Sequence, residues 1–241
     1  MDILKFTLSG KDAFFKKPEV NSYYYFTYGN IHKVALLGIF GAVLGYGGYR
    51  QMEESDINPE FYRKLKRLRI SIAPDEKGRG SFSRKIQSFN NSVGYASNEK
   101  GGNLIVKQQW LENPCWDIYV KLDTEESLKL KESLLNRKSI YLPYLGSNDH
   151  PADIRCVEVC RAEPVKDMEE ERIDSLFPNG TVVLDFDGDS EYPYLYQEFL
   201  PLTLDETSNQ YQLERFFFSN FPVEEYSCEI YDVKGKHIVF F

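Results

Sequence analysis

Residues 4–48 read LKFTLSGKDAFFKKPEVNSYYYFTYGNIHKVALLGIFGAVLGYGG, and this stretch decides the fold. At its start, apolar residues alternate with polar ones, which is typical of a half-buried strand over Ile3–Ser9. At its end, an apolar run predicts a helix from about Ile31 to Leu44, with Asn30 as its N-cap. Between them, four tyrosines and a phenylalanine crowd into residues 23–28. The fold therefore opens with a strand, an aromatic loop and a buried helix.

The apolar helix contains three glycines, Gly38, Gly41 and Gly45. Each costs roughly 1 kcal/mol relative to alanine inside a helix, so their presence predicts a close approach of the helix backbone to a sheet or to a ligand. A membrane span needs roughly 20 apolar residues, and the run from Val34 to Tyr46 is shorter than that. We therefore expect a core helix and no membrane partner.

The rest of the chain continues as an α+β pattern. We predict a helix from about Thr124 to Asn136 and the following strands: Leu65–Ile72, Ile86–Val93, Asn103–Leu111, Trp116–Leu122, Ser139–Leu142 and Ile154–Val165. This order resembles a ferredoxin-like domain over residues 1–166, with a hairpin inserted at about residues 50–112. An acidic helix or linker at 167–176 leads into a small antiparallel β unit within residues 167–241.

The charge is divided unevenly along the chain. Residues 1–110 carry 17 basic and 10 acidic side chains, whereas residues 111–241 carry 12 basic and 27 acidic ones. A basic half joined to an acidic half indicates a polyanion on one side and another partner, or solvent, on the other.

The tyrosine loop and the basic residues around it favour single-stranded RNA. Aromatic rings stack on unpaired bases, and lysines neutralise the phosphates between them. In and beside the loop, the candidate RNA-binding residues are Lys16, Lys17, Tyr23, Tyr25, Tyr28, His32 and Lys33. In the hairpin region, they are Lys64, Lys66, Arg67, Arg69, Arg79, Arg84 and Lys85. Some of the tyrosines must pack inward, and we expect Tyr23, Tyr25 and Tyr28 to face outward.

Metal and catalytic motifs are weak. DFDGDS at Asp185–Ser190 lacks the spacing of a calcium loop and favours a hairpin turn, so no metal or cofactor is predicted. The four cysteines form no C-x-x-C pair and, without a secretory signal, indicate reduced thiols in a cytoplasmic protein. His32, Tyr28 and Lys33 could serve a metal-independent ribonuclease, but a histidine at a helix start is more often structural.

The opening stretch at residues 4–48, with YLPYLGSNDHPADI and EFLPLTLD further on, resembles the CRISPR-associated Cas-five family, most closely its type I-B branch. The resemblance implies a ferredoxin-like, RRM-like fold of the RAMP group whose inserted hairpin is a thumb. It also implies a Cascade subunit that holds the 5′ handle of crRNA. The backbone and large subunits would be its protein partners, and target DNA would be met indirectly through the complex.

Three functions remain open at this point. The first is a non-catalytic RNA-binding subunit, which we favour because no full catalytic set can be placed on the chain. The second is a metal-independent endoribonuclease that processes CRISPR repeat RNA, as one branch of the family does. The third is a scaffold without RNA contact.

Overall fold

The computed structural model of the chain describes residues 1–19, 23–90, 92–95, 98–168, 170–188 and 192–241. Its helices are α1 (Lys33–Leu44), α2 (Glu60–Leu65) and α3 (Glu125–Leu135). Its strands are β1 (Asp2–Ser9), β2 (Asp12–Ala13), β3 (Tyr24–Tyr25), β4 (Ile70–Pro74), β5 (Arg84–Asn90), β6 (Ile105–Glu112), β7 (Cys115–Lys121), β8 (Asp153–Arg161), β9 (Glu163–Pro164), β10 (Phe177–Pro178), β11 (Val182–Leu184), β12 (Leu195–Leu204), β13 (Tyr211–Ser219), β14 (Val223–Tyr226), β15 (Ile230–Val233) and β16 (Lys236–Val239).

The largest packed unit is a four-stranded antiparallel sheet in the order β4-β7-β1-β8. The alternation in β1 sends Phe6 toward α1, where its ring meets Phe40 edge-on with the ring centres 6.1 Å apart. The opposite side of β1 is also covered, because Ile3 packs with Tyr231 and Ile238 from the C-terminal strands. The predicted first strand is confirmed; the face of Leu4, Phe6 and Leu8 is buried, and the other face is buried at Ile3 and half-buried beyond it.

The start of α1 differs from the prediction. The N-cap is His32, whose Nδ1 accepts a hydrogen bond from the Ala35 N–H, so the assignment of the cap to Asn30 was wrong. Asn30 is fully buried and accepts a hydrogen bond from the Trp116 indole N–H, while its own amide donates to the Gly80 carbonyl. Because both ends of its side chain are used inside the core, Asn30 is not free to cap the helix.

The glycines of α1 serve different purposes. A Cβ added at Gly41 would lie 2.5 Å from the Cβ of Phe61, so Gly41 permits close packing of α2 against α1. At Gly38 an added Cβ would meet no atom within 4 Å. Close backbone approach therefore explains Gly41, and Gly38 borders open space.

One predicted strand begins later than expected, and another is absent. Over Leu65–Ile72 the chain forms the end of α2, a turn and then β4, because Phe61, Leu65 and Leu68 place one apolar face of a helical segment in the core. Over Ser139–Leu142 the backbone N–H groups of Ile140 and Tyr141 donate to carbonyls at the end of α1 instead of to a neighbouring strand. Unpaired helix carbonyls at that end explain this arrangement.

The C-terminal strands pack against the rest of the chain. Leu200 and Phe216 belong to the same buried cluster as residues of α1. No helix is found in the described part of 167–176, where Leu176 is buried.

Strand β11 pairs with β14 and not with β12, so the hairpin turn expected at DFDGDS was wrong. Asp189 and Ser190 of that motif lie outside the described residues. The division of the chain at residue 166 stays a prediction.

No described helix has both the length and the apolar character needed to cross a membrane.

Candidate nucleic-acid interface

The tyrosine segment and the basic hairpin form one sheet. Strand β6 pairs with β5 along the hairpin and with β2 and β3 on its other edge. The β3 pairing is parallel and places Tyr24 opposite Lys107 and Tyr25 opposite Gln108. Two parts of the chain that the sequence separates by about 80 residues therefore share one surface.

One face of this sheet combines rings, cations and exposed apolar side chains. The rings of Tyr24 and Phe26 are 4.7 Å apart, and their side chains share a face because alternate strand residues point the same way. Lys107 lies opposite Tyr24, and its side chain is exposed. Ile86 and Phe26 are 59% and 43% exposed. Such a face can stack on bases and neutralise phosphates at once.

Tyr25 and Lys16 lie on the other side of the tyrosine strand. The Lys16 ammonium sits 3.9 Å from the centre of the Tyr25 ring, and Lys16 is exposed. Tyr23 is 71% exposed. The structure therefore brings together Lys16 and Tyr25 from the predicted set, and a cation over this half-buried ring offers both charge and a partly open stacking surface.

Lys17 is already paired. Its ammonium lies 3.0 Å from a carboxylate oxygen of Glu198, and it covers the Tyr28 ring. The other Glu198 oxygen accepts hydrogen bonds from the Gly29 N–H at 2.7 Å and from the Tyr196 hydroxyl at 2.6 Å. Glu198 on β12 therefore holds the end of the tyrosine segment in place and neutralises the lysine nearest to it.

Tyr28 and His32 are buried. Tyr28 is 2% exposed and His32 is 4% exposed, so the expectation that Tyr28 faces outward was wrong. Burial raises the pKa of Tyr28 and lowers the pKa of His32 to about 3. Both side chains were predicted to contact RNA at the surface of the loop, and both lie beneath that surface instead.

The Lys33 side chain points away from the tyrosine segment. Its ammonium donates to the carbonyl of Phe241 at 3.0 Å, and burial together with nearby Arg69 lowers its pKa to about 8. Its predicted partnership with Lys16 and Lys17 is not formed, because the side chain on the first turn of α1 points toward Phe241, beyond the last strand.

The predicted basic residues of 64–85 fall into two groups. Those with an acidic partner are Lys64 with Glu60, Lys66 with Glu206, Arg69 with Glu229, and Lys85 with Asp12. Arg67, Arg79 and Arg84 are exposed and make no ion pair with any described residue. Of these, Arg84 begins β5, and its guanidinium lies against Gly29. Arg84 is therefore the member of this set that the structure brings to the tyrosine segment.

Sequence reasoning missed Lys107 and Glu198 as parts of this region. Lys107 could have been found from the alternation in β6, once its register with Tyr24 was known. Glu198 carries no local signal, since its partner Gly29 is 169 residues away. In the part of the chain that the structure describes, no group of three His, Cys, Asp or Glu side chains could hold a metal ion.

Comparisons with known proteins point in one direction. A family described as CRISPR-associated protein (Cas_Cas5) matches residues 3–212 of the chain. No curated protein sequence matches it. A solved chain of a CRISPR RNA-guided surveillance complex is 15% identical over 91% of each chain, with a TM-score of 0.50. A CRISPR protein from Archaeoglobus fulgidus is 11% identical over 100% of this chain and 99% of that chain, with a TM-score of 0.51. At these identities the two structures show a shared fold.

Proposed function

The chain belongs to the CRISPR-associated Cas_Cas5 (Cas-five) family, and on that basis we propose that it is a non-catalytic subunit of a type I CRISPR Cascade complex. In this role it binds and caps the 5′ handle of crRNA and contacts the backbone and large subunits. Membership of the type I-B branch stays a prediction.

The observation that carries the proposal is the sheet shared by the tyrosine segment and the hairpin. Tyr24, Phe26 and Lys107 share one face of it, Arg84 begins β5 beside Gly29, and Lys16 covers Tyr25 on the other side of the edge strand β3. Single-stranded RNA is bound by this combination, since rings take the bases and cations take the phosphates. The neighbouring solved chain from an RNA-guided complex agrees with an RNA ligand.

We assign the elements of the family fold accordingly. Strand order β4-β7-β1-β8, with α1 after β1 and α3 after β7, supports a ferredoxin-like unit. The antiparallel pair β5–β6 lies between β4 and β7 in the chain and supports the thumb assignment within residues 50–112. This thumb would extend the RNA surface toward the backbone subunit.

The surroundings of His32 support a non-catalytic role. Because Nδ1 accepts the Ala35 N–H, the proton of the neutral imidazole lies on Nε2, which then has no lone pair to act as a general base. With a pKa of about 3, the ring also does not carry the extra proton that a general acid needs near neutral pH. An endoribonuclease centred on His32 would have to break the helix cap first.

The C-terminal strands support a protein-facing role. Leu195, Phe199 and Leu213 are 43%, 52% and 48% exposed on the β12–β13 hairpin. Adjacent exposed apolar side chains mark protein interfaces. We assign this face to the large subunit or the backbone subunit, and we assign the complex to the cytoplasm, where its four free thiols would stay reduced.

The proposal is tested by binding of fluorescent RNA 8-mers that tile the CRISPR repeat of the source organism. Reversing the charge at Lys16 and Lys107 together should weaken binding roughly tenfold or more at low salt, because two phosphate contacts are lost. The control is Lys138→Glu, at an exposed lysine beyond α3 that makes no ion pair with a described residue. Equal loss in both variants would contradict the assigned surface.

Catalysis is tested separately. Full-length repeat RNA is incubated with the protein in EDTA and examined for cleavage. The proposal expects intact RNA, and cleavage that disappears in His32→Asn would establish the endoribonuclease instead.

A further inference from the structure

A groove of about 690 Å³ runs along one side of α1. Its floor is formed by Ala35, Gly38 and Ala42, which share a helix face because they are three or four positions apart. The volume falls within the range of roughly 300–1,000 Å³ that is usual for small-ligand sites. The helix thus presents a smooth floor with room for a flat group.

The walls and the mouth of the groove are aromatic and basic. Tyr49, Tyr141 and Tyr144 line it and are 52%, 58% and 45% exposed. Lys16 and Arg50 lie at its edge, and neither makes an ion pair with a described residue. Exposed rings beside unpaired cations are the two elements that single-stranded nucleic acid requires.

A mostly buried histidine supplies a hydrogen-bond donor to the groove. His32 lines it and is 4% exposed, with the rings of Phe15, Tyr28 and Tyr211 packed edge-on around the imidazole. Its Nδ1 accepts the Ala35 N–H, and its Nε2–H makes no hydrogen bond with a described residue and is not among the solvent-inaccessible polar atoms, so it is open to the groove. Because burial holds the pKa near 3, this N–H stays a neutral donor at physiological pH.

The unpaired donor restricts what can fill the groove. A purely apolar side chain would leave the Nε2–H desolvated without an acceptor, which is unfavourable. The occupant must therefore be flat enough for the tyrosines and must carry an acceptor. A nucleobase meets both conditions, since every base presents ring nitrogens or carbonyl oxygens at its edge.

We propose that one unstacked base of the bound RNA inserts into the groove along α1, stacks on its tyrosines and accepts a hydrogen bond from His32 Nε2. This rests on the proposed RNA-binding function. Lys16 favours RNA over a peptide, because it lies both at the edge of the groove and over Tyr25 on the proposed RNA surface. If the RNA backbone passes Lys16, the adjacent base lies close enough to enter the groove.

Gly38 offers a way to close the groove without damaging the fold. An added Cβ there meets no atom within 4 Å, and replacing a helical glycine removes its propensity penalty. Gly38→Leu should therefore fill the groove and leave the protein folded, and Gly38→Ala is its matched control with the groove open. His32→Asn removes the donor and keeps a good N-cap residue.

The experiment measures the affinity of each variant for the repeat 8-mer that binds best and for derivatives with a single abasic position. In the wild type and in Gly38→Ala, one abasic position should weaken binding roughly 5- to 150-fold, the range for loss of one stacked base. In Gly38→Leu, an abasic site at that same position should not weaken binding further, because the leucine already excludes the base from the groove. In His32→Asn the penalty at that position should shrink.

The outcomes separate this proposal from the one it rests on. RNA binding with the same abasic penalties in Gly38→Leu as in the wild type would overturn the base site and leave the RNA-binding function standing. Absence of binding to every 8-mer would overturn both. A Gly38→Leu variant that binds RNA normally and fails to assemble with the protein subunits would identify the groove as a peptide site instead.

Discussion

The two halves of the tyrosine segment have similar compositions and opposite environments. Tyr23 is 71% exposed, whereas Tyr28 is 2% exposed. The first half is an edge strand of the hairpin sheet, with rings on its open face. In the second half, the Thr27 hydroxyl accepts a hydrogen bond from the Phe15 N–H, and the Glu198 carboxylate accepts one from the Gly29 N–H. These contacts hold the chain against the core. Aromatic content alone therefore does not mark a binding surface, because the partners of the backbone decide which rings remain available.

The largest expected effect comes from removing one ring from each half. Tyr28→Ala should lower the free energy of unfolding by about 3–5 kcal/mol, as is usual for loss of a buried aromatic side chain. Tyr23→Ala should lower it by less than about 1 kcal/mol, because the ring is mostly exposed. Urea denaturation followed by circular dichroism measures both. Similar losses would show that the two halves do not differ as described.

Glu198 is the contact that separates the two halves, and its removal should be the next largest effect. Glu198→Ala takes away a charged acceptor from Gly29 and Tyr196, at a cost of about 2–3 kcal/mol in urea denaturation. Glu198→Gln keeps an acceptor oxygen and should cost less. Since Gln also frees Lys17, RNA affinity should rise in that variant, and a fall would contradict the role given to this carboxylate.

The buried half should also be sensitive to acid through His32. Its pKa is near 3 in the folded protein and about 6.5 when unfolded, so the unfolded state binds more protons between these values. Stability is therefore present above pH 6.5 and is lost as the pH falls, by about 2 kcal/mol between pH 6.5 and pH 5. The His32→Asn variant should lack this pH-dependent loss of stability. Parallel pH profiles of the two proteins would contradict the assignment.

The smallest expected effect distinguishes two adjacent lysines. Lys16→Gln should reduce the slope of log affinity against log salt by roughly 0.7, the value for one phosphate contact with a single strand. Lys17→Gln should leave the slope nearly unchanged, because Glu198 already neutralises that ammonium. Titrations of the same repeat 8-mer at several salt concentrations measure both slopes. Equal slopes in the two variants would contradict the difference assigned to Lys16 and Lys17.

These residues also show what the sequence can predict. The apolar alternation of β1 and the apolar run of α1 are local signals, and both elements form where they were expected. The choice of His32 over Asn30 as the cap depends on Trp116, which is 86 residues from Asn30. Local patterns predicted the elements, and contacts between distant residues decided which polar side chains were left at the surface.

The candidate site divides in the same way. Lys16 and Lys17 are neighbours in the sequence, and only the position of Glu198 on β12 makes one paired and the other available. The pairing of β3 with β6 likewise could not be inferred from either segment alone, since a two-residue strand has no periodicity to detect. The composition pointed to the tyrosine segment, and the register determines which of its side chains share a face with Lys107.

Ultraviolet crosslinking of the assembled complex with its RNA tests the central claim most directly, with mass spectrometry used to identify the crosslinked peptides. The account predicts adducts on Tyr23, Tyr24 or Phe26 and on the β6 peptide that contains Lys107, and none on Tyr28. Adducts confined to residues 167–241, with the tyrosine segment and the hairpin unmodified, would contradict it.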